Sequence, residues 1–165
     1  MIKTQSRWPI VVLIVAALAA VLGSLSPTVA WAQAQTTTTN TRIPIPQNSA
    51  VTVNGETFQV SGSLHALFHV TRDNAGGFHI QAHLNGQGIR AVSGGTSYRV
   101  NTADNLTVNV GATKGAASNF TGVANFGLIG QGQAPNLRLH VNLHGTVNAN
   151  GEVTATVANV RITST

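Results

Sequence analysis

The sequence predicts an all-β domain: an antiparallel β-sandwich, with a closed β-barrel as the alternative. Three observations carry that prediction. From about residue 50 onward apolar and polar residues alternate with period two, short Gly, Asn and Asp clusters interrupt the alternation, and no segment shows a helical period. Many short strands with polar turns, and no helices to cover a parallel sheet, leave an antiparallel sandwich or barrel of about nine strands.

Residues 1–34 read as an export signal. Lys3 and Arg7 form a basic start, Ile10 to Leu25 an apolar stretch, and Ala30-Trp31-Ala32 a small-x-small cleavage site, with a second cut available after Ala34. The apolar stretch is about 16 residues, short of the roughly 18 to 20 a spanning helix needs, so removal is expected over retention as an anchor. The sequence therefore predicts a secreted or periplasmic protein with no membrane span once the signal is gone. Residues 35–49 are rich in Thr, Gln and Asn and carry Ile43-Pro44-Ile45-Pro46, which reads as an extended tether. The remaining residues, 50–165, fit a single core of modest size.

Within that domain, Val51–Val53 and Thr57–Val60 flank Asn54-Gly55, a strong hairpin signal because both residues tolerate positive φ. Ser63–Thr71 and Phe78–Asn85 form a second hairpin across Arg72 to Gly77. Ser97–Thr102 and Leu106–Val110 are shorter strands around Ala103-Asp104-Asn105, followed by a longer strand over Asn119–Ile129. Leu137–Val147 and Val153–Thr163 close the chain as a hairpin across Asn148 to Gly151. The inward positions are Leu64, Ala66, Phe68, Val70, Phe78, Ile80, Ala82, Leu84, Leu139, Val141, Leu143, Val153, Ala155 and Val157.

Composition narrows the function. Of nine basic residues, seven remain without Lys3 and Arg7, against four carboxylates, and they are scattered singly with no aromatic interleaving. Such a pattern does not track a phosphate backbone, so nucleic acid is not an expected partner. There is no cysteine, which removes disulfides, thiolate metal sites and thiol catalysis. Glu56, Asp73 and Glu152 sit at or beside predicted turns and Asp104 in a short connection, positions suited to turn chemistry rather than paired acid-base work. Gly86-Gln87-Gly88-Ile89-Arg90-Ala91 matches a dinucleotide fingerprint in spelling only, because no amphipathic helix follows it. Neither a Gly-x-Ser-x-Gly elbow nor a zinc-protease motif is present.

All six histidines fall into three copies of His-x-x-x-His: His65/His69, His79/His83 and His140/His144. In a strand the two members share a face but lie about 13 Å apart, so one copy does not grip one ion. Metal binding requires partners across strands. With the hairpin turn centred on Asn74, His65 is expected opposite His83 and His69 opposite His79. If the strand of His140 and His144 neighbours this hairpin, two clusters of three imidazoles form, each suited to Zn²⁺ or Cu²⁺. Directly opposed imidazoles would also weaken the fold as pH falls through about 6. The competing reading is that the histidines are merely polar residues on an exposed face.

The runs Gly62-Ser63-Leu64-His65-Ala66-Leu67-Phe68-His69-Val70-Thr71, Gly77-Phe78-His79-Ile80-Gln81-Ala82-His83-Leu84-Asn85, Ile129-Gly130-Gln131-Gly132 and His140-Val141-Asn142-Leu143-His144 with Thr146 to Thr154 resemble a family of small exported bacterial proteins, largely of unknown function. The resemblance implies an export signal followed by an all-β domain, and no activity, cofactor or catalytic residue. Relatives with cysteines near the first strand and the C-terminus differ from this chain, which has none. Residues and resemblance together predict an exported, non-enzymatic domain with a binding or structural role at the cell exterior, toward an extracellular or periplasmic ligand or protein. The alternatives are a Zn or Cu protein using cross-strand histidines, with or without metal-dependent catalysis, and a binder of a small apolar ligand near Phe120, Phe126 and Leu128.

Overall fold

The computed structural model describes residues 34–111 and 117–165. The predicted export signal, Ala34 apart, lies outside the described residues. Eleven strands appear: β1 (Gln35–Pro44), β2 (Ser49–Val53), β3 (Glu56–Ser61), β4 (Ser63–Arg72), β5 (Phe78–Asn85), β6 (Arg90–Ser93), β7 (Thr96–Val100), β8 (Ala103–Val110), β9 (Ser118–Gly130), β10 (Leu137–Val147) and β11 (Val153–Ser164). They form two antiparallel sheets, one of four strands in the order β1-β4-β5-β8 and one of seven in the order β11-β10-β9-β7-β6-β3-β2. The larger sheet curls toward a barrel until its edge strands β2 and β11 come into contact.

Two strands exceed the nine expected. The predicted tether is instead mostly β1, which pairs along the whole of β4 from Gln35 opposite Arg72 to Pro44 opposite Ser63. Its threonines are β-branched and favour a strand, and Pro44 sits at the strand's end on a sheet edge, where a missing N–H is tolerated. The second addition, β6, begins at the end of the glycine-rich Gly86–Ala91 stretch, for which no strand was expected, and pairs with β3 and β7. Ala103-Asp104-Asn105 is not a turn either. It opens β8, and the chain crosses between sheets at Asn101 and Thr102.

The predicted turns at Asn54-Gly55 and Asn148 to Gly151 are present. Asn54 and Gly55 both have positive φ (49° and 81°), as a two-residue hairpin turn requires. The inward residues named from the alternation are buried, with Ala155 half-buried. To them the structure adds Ile43, Phe58, Val60, Ile89, Tyr98, Phe120, Phe126, Leu128 and Ile162.

Contacts at β9 set how the sheets meet. Phe68 of β4 packs edge-on against Phe120 of β9, ring centroids 6.3 Å apart. Glycines make room for this packing: a Cβ on Gly145 would fall 2.2 Å from the Phe120 ring, and one on Gly122 would fall 2.2 Å from a Leu106 methyl. The second join is polar. β7 pairs with β9 only at Leu128 to Gly130, so the remaining edge of β9 needs other acceptors. Asp104 Oδ2 accepts the Asn125 N–H (2.7 Å), its Oδ1 accepts the Asn105 N–H (2.9 Å), and Thr102 Oγ1 accepts the Gly127 N–H (3.0 Å).

Two predictions follow from these joins. Gly55→Ala, in open space at φ +81°, is expected to cost about 1 kcal/mol through its left-handed backbone, whereas Gly62→Ala, at φ +111° with the Gly88 carbonyl oxygen 2.0 Å from the added Cβ, is expected to cost at least about 2. Equal shifts of the two melting temperatures would contradict this ranking. Asp104→Ala strands two backbone donors and is expected to lower stability by about 1 to 3 kcal/mol, with Asp104→Asn recovering part of it. Urea unfolding measures both, and a loss under about 0.5 kcal/mol for the alanine variant would show that the carboxylate bridge contributes nothing.

Candidate functional site

The outer face of the four-stranded sheet follows directly from the pleat. Because Leu64, Ala66, Phe68 and Val70 point inward, His65, Leu67, His69 and Thr71 must point out, and β1, β5 and β8 obey the same rule. Four rungs cross the sheet. They read Arg42-His65-Asn85-Ala103, Asn40-Leu67-His83-Asn105, Thr38-His69-Gln81-Thr107 and Thr36-Thr71-His79-Asn109. Neutral hydrogen-bonding side chains fill nearly every position, with Leu67 an apolar exception within the face.

This register corrects the expected pairing. His65 lies opposite Asn85 rather than His83, and His69 opposite Gln81 rather than His79. The shift is two residues, so every side chain keeps its predicted face while each cross-strand partner changes. Its cause is the turn. Gly76 N–H donates to the Asp73 carbonyl (3.1 Å), Asp73 N–H to the Gly77 carbonyl (2.9 Å), and Asp73 Oδ1 accepts the Gly77 N–H (2.8 Å). With Gly76 at φ 89°, this is a three-residue loop, Asn74-Ala75-Gly76, closed by a left-handed glycine and centred on Ala75.

The remaining two histidines lie elsewhere. β10 runs between β9 and β11 in the other sheet, so His140 and His144 do not neighbour the β4–β5 hairpin. The two expected three-histidine clusters therefore do not form. Among the described residues no group of three or more His, Asp or Glu side chains is placed to hold a metal ion. The pH response expected from directly opposed imidazoles loses its premise through the register itself, since no histidine of β4 lies opposite one of β5.

What five of the histidines have instead are amide and hydroxyl partners on adjacent strands. His83 Nδ1 lies 2.9 Å from Asn105 Oδ1, His79 Nδ1 is bonded to Asn109 Oδ1, and His140 Nδ1 lies 2.6 Å from Asn125 Oδ1. An amide oxygen only accepts, so in each pair the imidazole Nδ1–H donates. His65 is reversed, its Nε2–H donating to Asn40 Oδ1 at 2.7 Å. His69 Nδ1 meets Thr38 Oγ1 at 3.1 Å, and His79 Nε2 accepts from the Gln81 amide at 3.3 Å. Alternation alone could not reveal the partners of His65, His69 and His83, because Asn105 lies just ahead of the strand read from Leu106, and Thr38 and Asn40 lie in β1, read as a tether.

Three of the four carboxylates are engaged. Asp73 closes the β4–β5 turn, Asp104 caps β9, and Glu152 Oε2 accepts the Asn148 amide N–H at 2.7 Å within the β10–β11 turn. Phe120, Phe126 and Leu128 are packed in the core, so a small apolar ligand there would have to displace side chains. Beside them a groove of about 550 Å³ opens at the surface, lined by Phe126 and Leu128 together with Thr102, Asn125 and Arg138. A smaller recess of about 240 Å³ lies on the histidine face, lined by His69, Gln81, His83, Asn105 and Thr107.

The hydrogen bonds predict tautomers. In long-range ¹H–¹⁵N spectra above pH 8, His79, His83 and His140 are expected as the Nδ1–H form and His65 as the Nε2–H form, and Asn105→Ala should return His83 to the Nε2–H form that free imidazole side chains prefer. An Nε2–H signal for His83 in the unaltered protein would break this assignment. Comparison with protein families, with curated proteins and with solved structures finds no match for this chain.

Proposed function

We propose that this chain is an exported, non-enzymatic binding domain, similar to small exported bacterial proteins, that works at the cell exterior through the outer face of its four-stranded sheet. The observation that carries the reading is the cross-strand ladder. His65, His69, His79 and His83 are each held by a neighbour from β1 or β8, so their polar groups are ordered before any partner arrives. Ordering in advance lowers the entropic cost of association. A role without catalysis is supported by the engagement of Asp73, Asp104 and Glu152 in turn and edge hydrogen bonds, which leaves no carboxylate pair for acid-base work among the described residues.

Two measurements test this. Produced from its full sequence in a bacterium with an outer envelope, the protein should appear in the periplasm or medium with an N-terminus at Gln33 or Gln35, and deletion of residues 1–34 should hold it in the cytoplasm. Recovery of the intact chain from the cytoplasm would overturn export. The exported protein should also sediment with envelope fragments of the producing cells. Leu67→Lys combined with Thr107→Lys, two outward positions that leave the core untouched, should reduce the sedimented fraction at least about tenfold. Equal sedimentation of a folded variant would remove this face as the binding surface.

A further inference from the structure

Two of the histidines on this face are arranged in a way that pairing by opposition overlooks. His69 and His83 are not directly opposed; His69 lies opposite Gln81, and His83 is two residues further along β5 on the same face. Such diagonal positions across an antiparallel pair sit about 7 to 8 Å apart, within reach of two imidazole rings. Both rings line the same recess, whose volume is about 240 Å³.

The tethers set which edge of each ring looks inward. His69 Nδ1 is held at Thr38 on β1, on one side of the hairpin, and His83 Nδ1 at Asn105 on β8, on the other. Within an imidazole the Nε2 edge lies away from Nδ1, so each ring turns Nε2 toward the seam between β4 and β5. His83 Nδ1–H is held by an amide oxygen, and His69 Nδ1 by a hydroxyl that can accept its proton; an imidazole so held, with Nε2 facing a shared space, is the usual presentation of a histidine to a metal ion. Gln81 lies between the two on the recess wall, its amide nitrogen engaged with His79, which leaves the carbonyl oxygen as a neutral third donor.

From this geometry we infer that His69 and His83 form a two-imidazole site for a divalent transition-metal ion, Cu²⁺ foremost. Nitrogen donors with open positions for water favour Cu²⁺ over Ni²⁺ and Zn²⁺. Thr38 and Asn105 act as positioning residues through the two Nδ1 atoms. The site deepens the reading of the four-stranded face as the working surface, and it uses a different pair from either of those expected from sequence. His65 belongs to neither donor set, since its Nε2 is the nitrogen bonded to Asn40.

The test is a Cu²⁺ titration of the tag-free protein, followed by calorimetry and by pulsed electron paramagnetic resonance, which counts equatorial imidazoles. One ion per chain with two imidazole nitrogens is expected. His69→Gln or His83→Gln should each weaken binding at least about tenfold and leave one imidazole, Asn105→Ala should weaken it about tenfold through the lost tether, and His65→Gln and His144→Gln should change nothing. Binding that survives unaltered in the folded double variant His69→Gln/His83→Gln, or no binding tighter than about 100 μM in the unaltered protein, would overturn the site. Export and envelope sedimentation are measured without added copper, so those results and this one fail independently.

Discussion

Everything on the two outer faces depends on how the four-stranded sheet is seated on β9. Phe68 meets Phe120 edge-on, Leu106 drops onto Gly122 of the facing sheet, and Phe120 lies over Gly145 of the neighbouring strand β10, so large side chains stand where the strand across or beside them has no Cβ. In a close-packed interior such a fit leaves one stable offset between the sheets, because a slip of one residue would drive a ring into a backbone. Asp104 and Thr102 complete the seat from the polar side by accepting N–H groups of β9 beyond its short pairing with β7. Apolar fit and edge capping thus converge on the same strand.

Once the inner face is seated, the outer face has no freedom left. Each strand of the smaller sheet turns its alternate residues to solvent, and apart from Arg42, Leu67 and Ala103 those on the four rungs are His, Asn, Thr and Gln rather than the Lys and Glu that commonly solvate a sheet. Neutral side chains of this kind hydrogen-bond to one another across strands instead of to water alone. That is why each imidazole on the face is bound at a specific nitrogen, while His69 and His83 line a common recess. The edge strands matter as much as the hairpin itself, since β1 and β8 provide the tethers.

Alternation in the sequence was enough to place the named core side chains of β4, β5, β10 and β11, because a strand buried on one face must write that face with period two, but Phe58, Tyr98, Phe126 and Leu128 were not among them. Where alternation was weak, the reading failed. Thr37, Thr39 and Thr41 of β1 are half-buried threonines, which carry no hydropathy contrast with the outward Thr36 and Thr38, so a strand looked like a tether. Asp104 looked like a turn residue because Asp is rare in strands, while its structural role is to satisfy a neighbouring edge that no local pattern discloses.

Parity and register mark the division between what the chain alone determined and what tertiary structure decided. The sequence by itself determined the all-β class, the positions of the hairpin turns at Asn54-Gly55 and Asn148 to Gly151, and the outward direction of all six histidines, because these depend on residue-by-residue alternation and on which residues tolerate positive φ. It did not determine which histidine faces which neighbour. That rests on the Asp73–Gly77 loop, whose hydrogen bonds centre the turn on Ala75, and on the chain crossing that puts β10 in the other sheet. A shift of two residues preserves every face and changes every partner, so only the folded arrangement could set His69 diagonal to His83 and leave His140 and His144 on a separate surface.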